Sequence, residues 1–153
     1  MLGIDPGSRL TGYGIVDTDG RTKSWVASGC IRTVTGDMPE RLRELYLGIE
    51  QLLATYQPDQ VAIEQIFLAR NASSALKLGQ ARGVALAACM SRGVTMHDYA
   101  ARQVKLAIAG TGKATKEQVQ YMVRVLLKLP DTPQADAADA LAIAICHINT
   151  RGL

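Results

Sequence analysis

Apolar positions follow a strand-like alternation in some stretches of the chain and a helical spacing in others, and the switches mark out its elements. Leu2–Asp5 predicts a short apolar strand running into the turn formers Asp5-Pro6-Gly7. Gly12–Asp17 and Lys23–Val34 predict two more strands, with Asp19-Gly20 as the hairpin turn between them. Asp37-Met38-Pro39-Glu40 predicts a helix start, with Asp37 as N-cap, Pro39 just inside and Glu40 completing a capping box. Leu42, Leu45, Ile49, Leu52, Leu53 and Tyr56 then keep helical spacing, so one face is core, and Pro58-Asp59 ends the helix. Gln60–Ile66 predicts a fourth strand and Asn71 to about Arg92 an Ala- and Gly-rich helix stopped by Gly93. A fifth strand is predicted over Val94–Asp98 and a helix from Tyr99 to about Ala109. The basic loop Gly110-Thr111-Gly112-Lys113, a helix over Thr115–Leu129, a turn at Pro130–Pro133 and a last helix from Gln134 to about Thr150 complete the chain. Three strands able to pair as a meander, followed by alternating helices and strands, predict a mixed α/β sheet, antiparallel first and parallel later.

The length of 153 residues suits one domain able to bury a core without disulfide staples. Hydrophobic residues at 48% and charged ones at 20% fit a globular protein and argue against disorder. The apolar run Leu141–Cys146 falls far below the ~18 residues of a membrane span, and the start MLGIDPG has no basic region of the kind a signal peptide needs. Three cysteines without CxxC spacing point to a reduced, cytoplasmic protein and build no zinc site with His97 and His147. Charge is uneven: residues 1–69 carry 6 Lys/Arg against 9 Asp/Glu, and residues 70–128 carry 10 against only Asp98 and Glu117. Residues 129–153 carry Arg151 against three aspartates. A basic middle beside acidic ends fits a polyanionic partner together with a separate place for carboxylates, or a solvated lysine-rich face.

Four acids stand out. Asp5 closes an apolar strand, where it is either a turn aspartate or a functional carboxylate. Glu64, inside Val61–Ile66, falls on the face of Ala62 and Ile66, either toward solvent or toward a site. Asp136 and Asp139 are three apart at the start of the last helix and share a face, as a helix cap or as ligands. From Ala135 to Ile148 every other residue except His147 is apolar, so that helix is expected to be buried against the sheet. Its first turns then face strand ends where Asp5 and Glu64 could meet them. Unit charges ~4 Å apart repel by roughly 4 kcal/mol at an effective dielectric near 20, so four carboxylates do not gather unaided. Hard divalent cations resolve the conflict: Mg²⁺ takes a few carboxylate oxygens and keeps waters, and two such ions form the clamp used in phosphodiester cleavage.

The segments Gly3-Ile4-Asp5-Pro6-Gly7-Ser8, Ala62-Ile63-Glu64-Gln65, Asn71-Ala72-Ser73-Ser74-Ala75-Leu76-Lys77-Leu78-Gly79-Gln80-Ala81-Arg82-Gly83 and Gln134-Ala135-Asp136-Ala137-Ala138-Asp139-Ala140-Leu141 closely resemble the bacterial RuvC family. These are crossover-junction endonucleases (Holliday junction resolvases) with an RNase H-like fold, and the similarity runs over essentially the whole chain, 1–153. The resemblance implies a single nuclease domain with a five-stranded mixed sheet flanked by helices. It implies that Asp5, Glu64, Asp136 and Asp139 are catalytic acids holding Mg²⁺, two ions per site, with Mn²⁺ as a possible substitute. It further implies a homodimer that nicks two strands of a four-way junction symmetrically in recombination and repair, leaving 5′-phosphate and 3′-hydroxyl ends. A two-fold dimer is the natural reader of a two-fold junction. The resemblance also implies partnership with a branch-migration motor complex (RuvAB), and family members often carry a short basic tail beyond the last helix. The helix after Asn71 is the candidate dimer face, with packing on the sheet as the alternative.

Phe67 matches a family position whose aromatic inserts near the junction centre, where stacking on a base contributes ~1–3 kcal/mol. Alternation alone would put it on the Val61/Ile63 face, and Arg70 follows close behind. Lys105 and Lys116 match basic positions of the family, whereas Lys113 rests on charge alone; as phosphate contacts the three would position DNA without reading its sequence. Gly110-Thr111-Gly112-Lys113-Ala114 is no P-loop, having Ala107 for the first glycine and Ala114 for the Ser/Thr. His97-Asp98 belongs to no hydrolase triad, since G-x-S-x-G is missing, and both histidines are expected to be structural. Two competing functions remain: a non-catalytic junction-binding protein, for which four acids are poorly chosen because each repels phosphate, and an actin-like ATPase fragment, which would need a second domain.

Overall fold

The computed structural model describes residues 1–34, 36–66 and 71–151. Five strands, β1 (Leu2–Asp5), β2 (Leu10–Thr18), β3 (Lys23–Arg32), β4 (Gln60–Glu64) and β5 (Thr95–Tyr99), form one sheet in the order β3-β2-β1-β4-β5. The first three pair antiparallel, and β4 and β5 join parallel on the other side of β1. The mixed sheet read from the hydrophobic pattern is therefore present, with each strand within a few residues of its expected bounds. Tyr99 ends β5 rather than opening the next helix, because its main chain still pairs with Glu64.

Strand alternation divides the core in two. Leu2, Ile4, Val61 and Ile63 point to one face, where α1 (Met38–Tyr56) contributes Leu45, Ile49 and Leu53, and α2 (Ala72–Ser91) contributes Ala81, Ala85 and Ala88. Asp37 caps α1 by accepting the Glu40 N–H at 3.0 Å, and Asn71 caps α2 by accepting the Ser73 N–H at 2.9 Å. Gly93 takes φ +68° just past α2, a conformation that costs glycine little. The opposite face carries Val16, Ala62 and Tyr99. It is covered by α3 (Ala101–Ala109), α4 (Lys116–Leu126) and, nearest the sheet, α5 (Ala135–Arg151).

α5 sits unusually close to the strands. A Cβ on Gly3 would lie 2.0 Å from the Ala140 carbonyl oxygen, and one on Gly12 would lie 2.0 Å from that of Asp136. Only glycine leaves room for this helix backbone. Eleven consecutive-to-near residues of α5, from Ala137 to Ile148 with Asp139 the exception, are buried, as expected for a helix apolar nearly all round. His147 pins its far end: Nε2 lies 2.6 Å from Gln60 Oε1, which can only accept, so Nδ1 accepts from the Tyr99 hydroxyl at 2.9 Å. Burial pushes that imidazole down to about 4. Both histidines stand in this structural pair, their ring centroids 4.5 Å apart.

Candidate active site

Asp5 and Glu64 are the last residues of adjacent parallel strands, one step beyond the Ile4–Ile63 pair, so both carboxyls leave the sheet at the same end and on the α5 face. The close seating of α5 over Gly12 brings its first turns to that end. A cavity of about 240 Å³ opens there, lined by Asp5, Glu64 and Asp139 together with Lys105, Lys116 and apolar Val104, Val119 and Ile143. Asp136 is not part of this lining; it lies toward β2 and β3, its carbonyl against Gly12, and its charge reaches both Asp5 and Cys30. Among the described residues neither Asp136 nor Asp139 accepts a backbone N–H of the helix start, so the two aspartates are not spent as caps.

The electrostatics are those of crowded acids. Burial first, then the charges of Glu64, Asp139 and Asp136, push the Asp5 carboxyl up to about 8. Burial also raises Glu64 and Asp139; the Asp139 charge adds to the rise at Glu64 and the Asp136 charge to that at Asp139. Lys116 and Lys105 oppose both shifts. Lys116 Nζ approaches Asp139 Oδ2 to 3.8 Å with its side chain 73% exposed, a contact worth little by itself.

Among the described residues no three Asp, Glu, His or Cys side chains draw together closely enough to enclose a metal ion. The donor set nevertheless suits a hard divalent cation, because three carboxyl groups face one cavity where burial and their mutual charge favour a positive partner.

Of the basic residues singled out from the sequence, Lys105 on α3 and Lys116 at the first turn of α4 line the cavity itself. Thr115 and Gln118 hold the start of α4 by a reciprocal capping box, at 3.2 Å and 2.8 Å, which fixes where Lys116 emerges. Lys113 stays in the preceding loop, outside the cavity lining. Phe67 and Arg70 lie outside the described residues. One contact was not foreseen: Arg82 on α2 donates from Nε to the Glu64 carbonyl oxygen at 3.1 Å and from its terminal nitrogen to Asp98 Oδ1 at 2.7 Å. Periodicity offers no signal for it, because the partner is a main-chain oxygen.

A mixed sheet in this order, with carboxyls at the ends of adjacent parallel strands and on the helix crossing them, defines an RNase H-like protein with an acidic site. The family model of crossover junction endodeoxyribonuclease RuvC matches residues 1–147. RuvC of Klebsiella pneumoniae is 59% identical over 151 residues, covering 97% of this chain and 87% of that one. RuvC of Shewanella frigidimarina is 54% identical over 150 residues, covering 98% and 87%. Thermus thermophilus RuvC in complex with Holliday junction substrate superimposes with a TM-score of 0.92 at 35% identity, over 98% of this chain and 93% of that one. A yeast mitochondrial Holliday junction resolvase shares the fold at 12% identity and a TM-score of 0.68, over 97% and 78%. The chain belongs to the RuvC family of crossover junction endodeoxyribonucleases.

Proposed function

We propose that this chain is a divalent-metal-dependent endonuclease that resolves four-way DNA junctions by paired symmetric nicks, leaving 5′-phosphate and 3′-hydroxyl ends. The observation that carries this reading is the gathering of Asp5, Glu64 and Asp139 around one cavity, with Asp5 pushed up to about 8 by burial and by its neighbours. Such a site is costly to fold and useless as a cap, but suited to cation capture. Asp5, Glu64 and Asp139, with Asp136 nearby, would hold Mg²⁺, two ions in the full reading, with Mn²⁺ able to replace it. When bound, the ions supply charge that activates a water and stabilises the leaving oxygen of the phosphodiester.

The chain's own side chains do the rest. Three carboxyl groups face two ammonium groups in the cavity, so phosphate approaches best once a cation neutralises the acids. Lys105 and Lys116 then hold the backbone phosphate beside the carboxylates, and Val104, Val119 and Ile143 exclude bulk water. Lys113, Phe67 and Arg70 extend the DNA contact beyond the cavity in this reading, with Phe67 stacking near the junction centre.

A second copy of the chain suits the exposed face of α2. Leu76 and Met90 are each 70% exposed there, and a Cβ added at Gly79 or Gly83 would meet nothing within 4 Å. An open small-residue surface flanked by apolar side chains fits close helix approach in a homodimer. Work in the cytoplasm beside a branch-migration motor (RuvAB) belongs to the same reading; among the described residues no helix is long and apolar enough to cross a membrane. The decisive assay is cleavage of labelled four-way junction against matched duplex. Paired nicks confined to the junction, lost in EDTA and in Asp5→Asn, are expected; tight junction binding without cuts, with Mn²⁺ also tried, would leave only a binding module.

A further inference from the structure

Glu64 reaches the cavity from the last position of β4, where of its two neighbouring strands only β5 still pairs with it. The pairing of β1 with β4 ends at Ile4 and Ile63. On the β5 side the last described link is the Gln65 N–H donating to the Tyr99 carbonyl at 2.9 Å. The chain then leaves the sheet within two residues of a side chain whose carboxyl has to be held to a fraction of an ångström. That Gln65 N–H belongs to the Glu64–Gln65 peptide, and the carbonyl of the same peptide is held from the other face: Arg82 of α2 donates to it from Nε at 3.1 Å, and the same guanidinium donates to Asp98 Oδ1 on β5 at 2.7 Å. The fork is planar and rigid, so its two donors add a second tie between the ends of β4 and β5, this one reaching the Glu64 carbonyl. The Arg82 side chain is only 20% exposed, which limits its freedom to do anything else.

We infer that Arg82, oriented by Asp98, is a positioning residue that holds the Glu64 peptide so that its carboxylate can join Asp5 and Asp139 around a divalent cation. This rests on the metal-dependent nuclease reading above. The effect is geometric: Arg82 grips the main-chain carbonyl, while Lys116 and Lys105 stand with the Glu64 carboxyl in the cavity lining. An ion pair with one partner 46% exposed adds little to stability, so the clamp has more to offer in fixing geometry than in holding the fold. Partners that orient metal-binding groups typically change affinity or activity by ~10–100-fold when removed.

The test uses the full chain with Arg82→Ala, Arg82→Lys, Asp98→Ala and Asp98→Asn. Three quantities are measured: single-turnover cleavage of pre-bound junction against Mg²⁺ concentration, junction affinity without cleavage in Ca²⁺, and the Mg²⁺-dependent rise in Tm without DNA. Arg82→Ala is expected to slow cleavage by ~10–100-fold. It should move the Mg²⁺ midpoint upward in both cleavage and thermal shift, with junction affinity unchanged. Asp98→Asn keeps the acceptor oxygen and retains the wild-type midpoint, whereas Asp98→Ala falls between. If Arg82→Ala does not fold, Arg82→Lys decides, because a single ammonium cannot serve both strands and should still raise the midpoint. A folded Arg82 variant with the wild-type midpoint would overturn the inference. So would a loss of junction affinity in place of the midpoint shift, which would make Arg82 a phosphate contact. A wild-type chain that shows the Mg²⁺ thermal shift but never cuts would overturn the nuclease reading alone, and the thermal midpoints would still judge the clamp.

Discussion

Asp5 carries the clearest conflict between folding and function. Its carboxyl titrates about 8 in the folded chain, against the ordinary carboxylate range when unfolded. The folded state therefore binds the extra proton between these values, and the metal-free protein loses stability as pH rises through that window, levelling above it. Asp5→Asn removes both the burial cost and the repulsion. In EDTA at pH 7 it should raise Tm by several degrees, since ~1 kcal/mol moves a domain of this size by roughly 2–4 °C, and should flatten the pH dependence. Added Mg²⁺ should stabilise the wild type and not the variant. A second prediction concerns Asp139, which faces the same cavity and does not cap its helix. Asp139→Asn should keep junction binding while cleavage falls by ~10²-fold or more; loss of folding would return Asp139 to a capping role. A third concerns Lys116, whose side chain is 73% exposed beside the acids. Lys116→Ala should weaken junction binding across sequences and reduce the salt slope by about 1, and an unchanged slope in a salt titration would remove it as a phosphate contact.

At the scale of elements, the site depends on how near α5 can come to β1 and β2. Gly12→Ala would put a methyl against the Asp136 carbonyl oxygen, which is backbone and cannot swing aside. The expected cost is ~1–3 kcal/mol in urea denaturation, with cleavage reduced further than stability predicts because Asp136 and Asp139 are lifted from Asp5. A Gly12→Ala variant with wild-type stability and rate would show that the helix floats freely. The elements themselves were legible because their signals are local: alternation in Val61–Ile63, the Asp37 cap, the apolar run of α5. The same alternation placed Glu64 on the Ala62 side, whereas helical spacing put Asp136 and Asp139 on one face of which only Asp139 lines the cavity. What escaped sequence reading depends on tertiary approach. The meeting of Lys105 and Lys116 in the acid cavity, the seating of α5 on Gly3 and Gly12, and the grip of Arg82 on the Glu64 carbonyl involve backbone atoms or residues remote in the chain. Neither residue identity nor period records them.

At the scale of the whole molecule, one acidic site can cut one strand, and a symmetric pair of cuts needs two sites facing opposite ways. The exposed strip of Leu76, Gly79, Gly83 and Met90 on α2 is the surface proposed for a second copy. Leu76→Glu should therefore shift the sedimentation behaviour from dimer to monomer and uncouple the two nicks, leaving single cuts; an unchanged dimer would move the interface elsewhere. The most direct measurement remains the fate of an end-labelled four-way junction beside matched linear duplex, in Mg²⁺ and in EDTA, for the wild type and Asp5→Asn. Paired nicks at symmetric positions in the junction, lost with the metal or with Asp5, are the predicted result. Equal cutting of duplex, or nicks that persist in Asp5→Asn, would contradict a junction-resolving nuclease built on these acids.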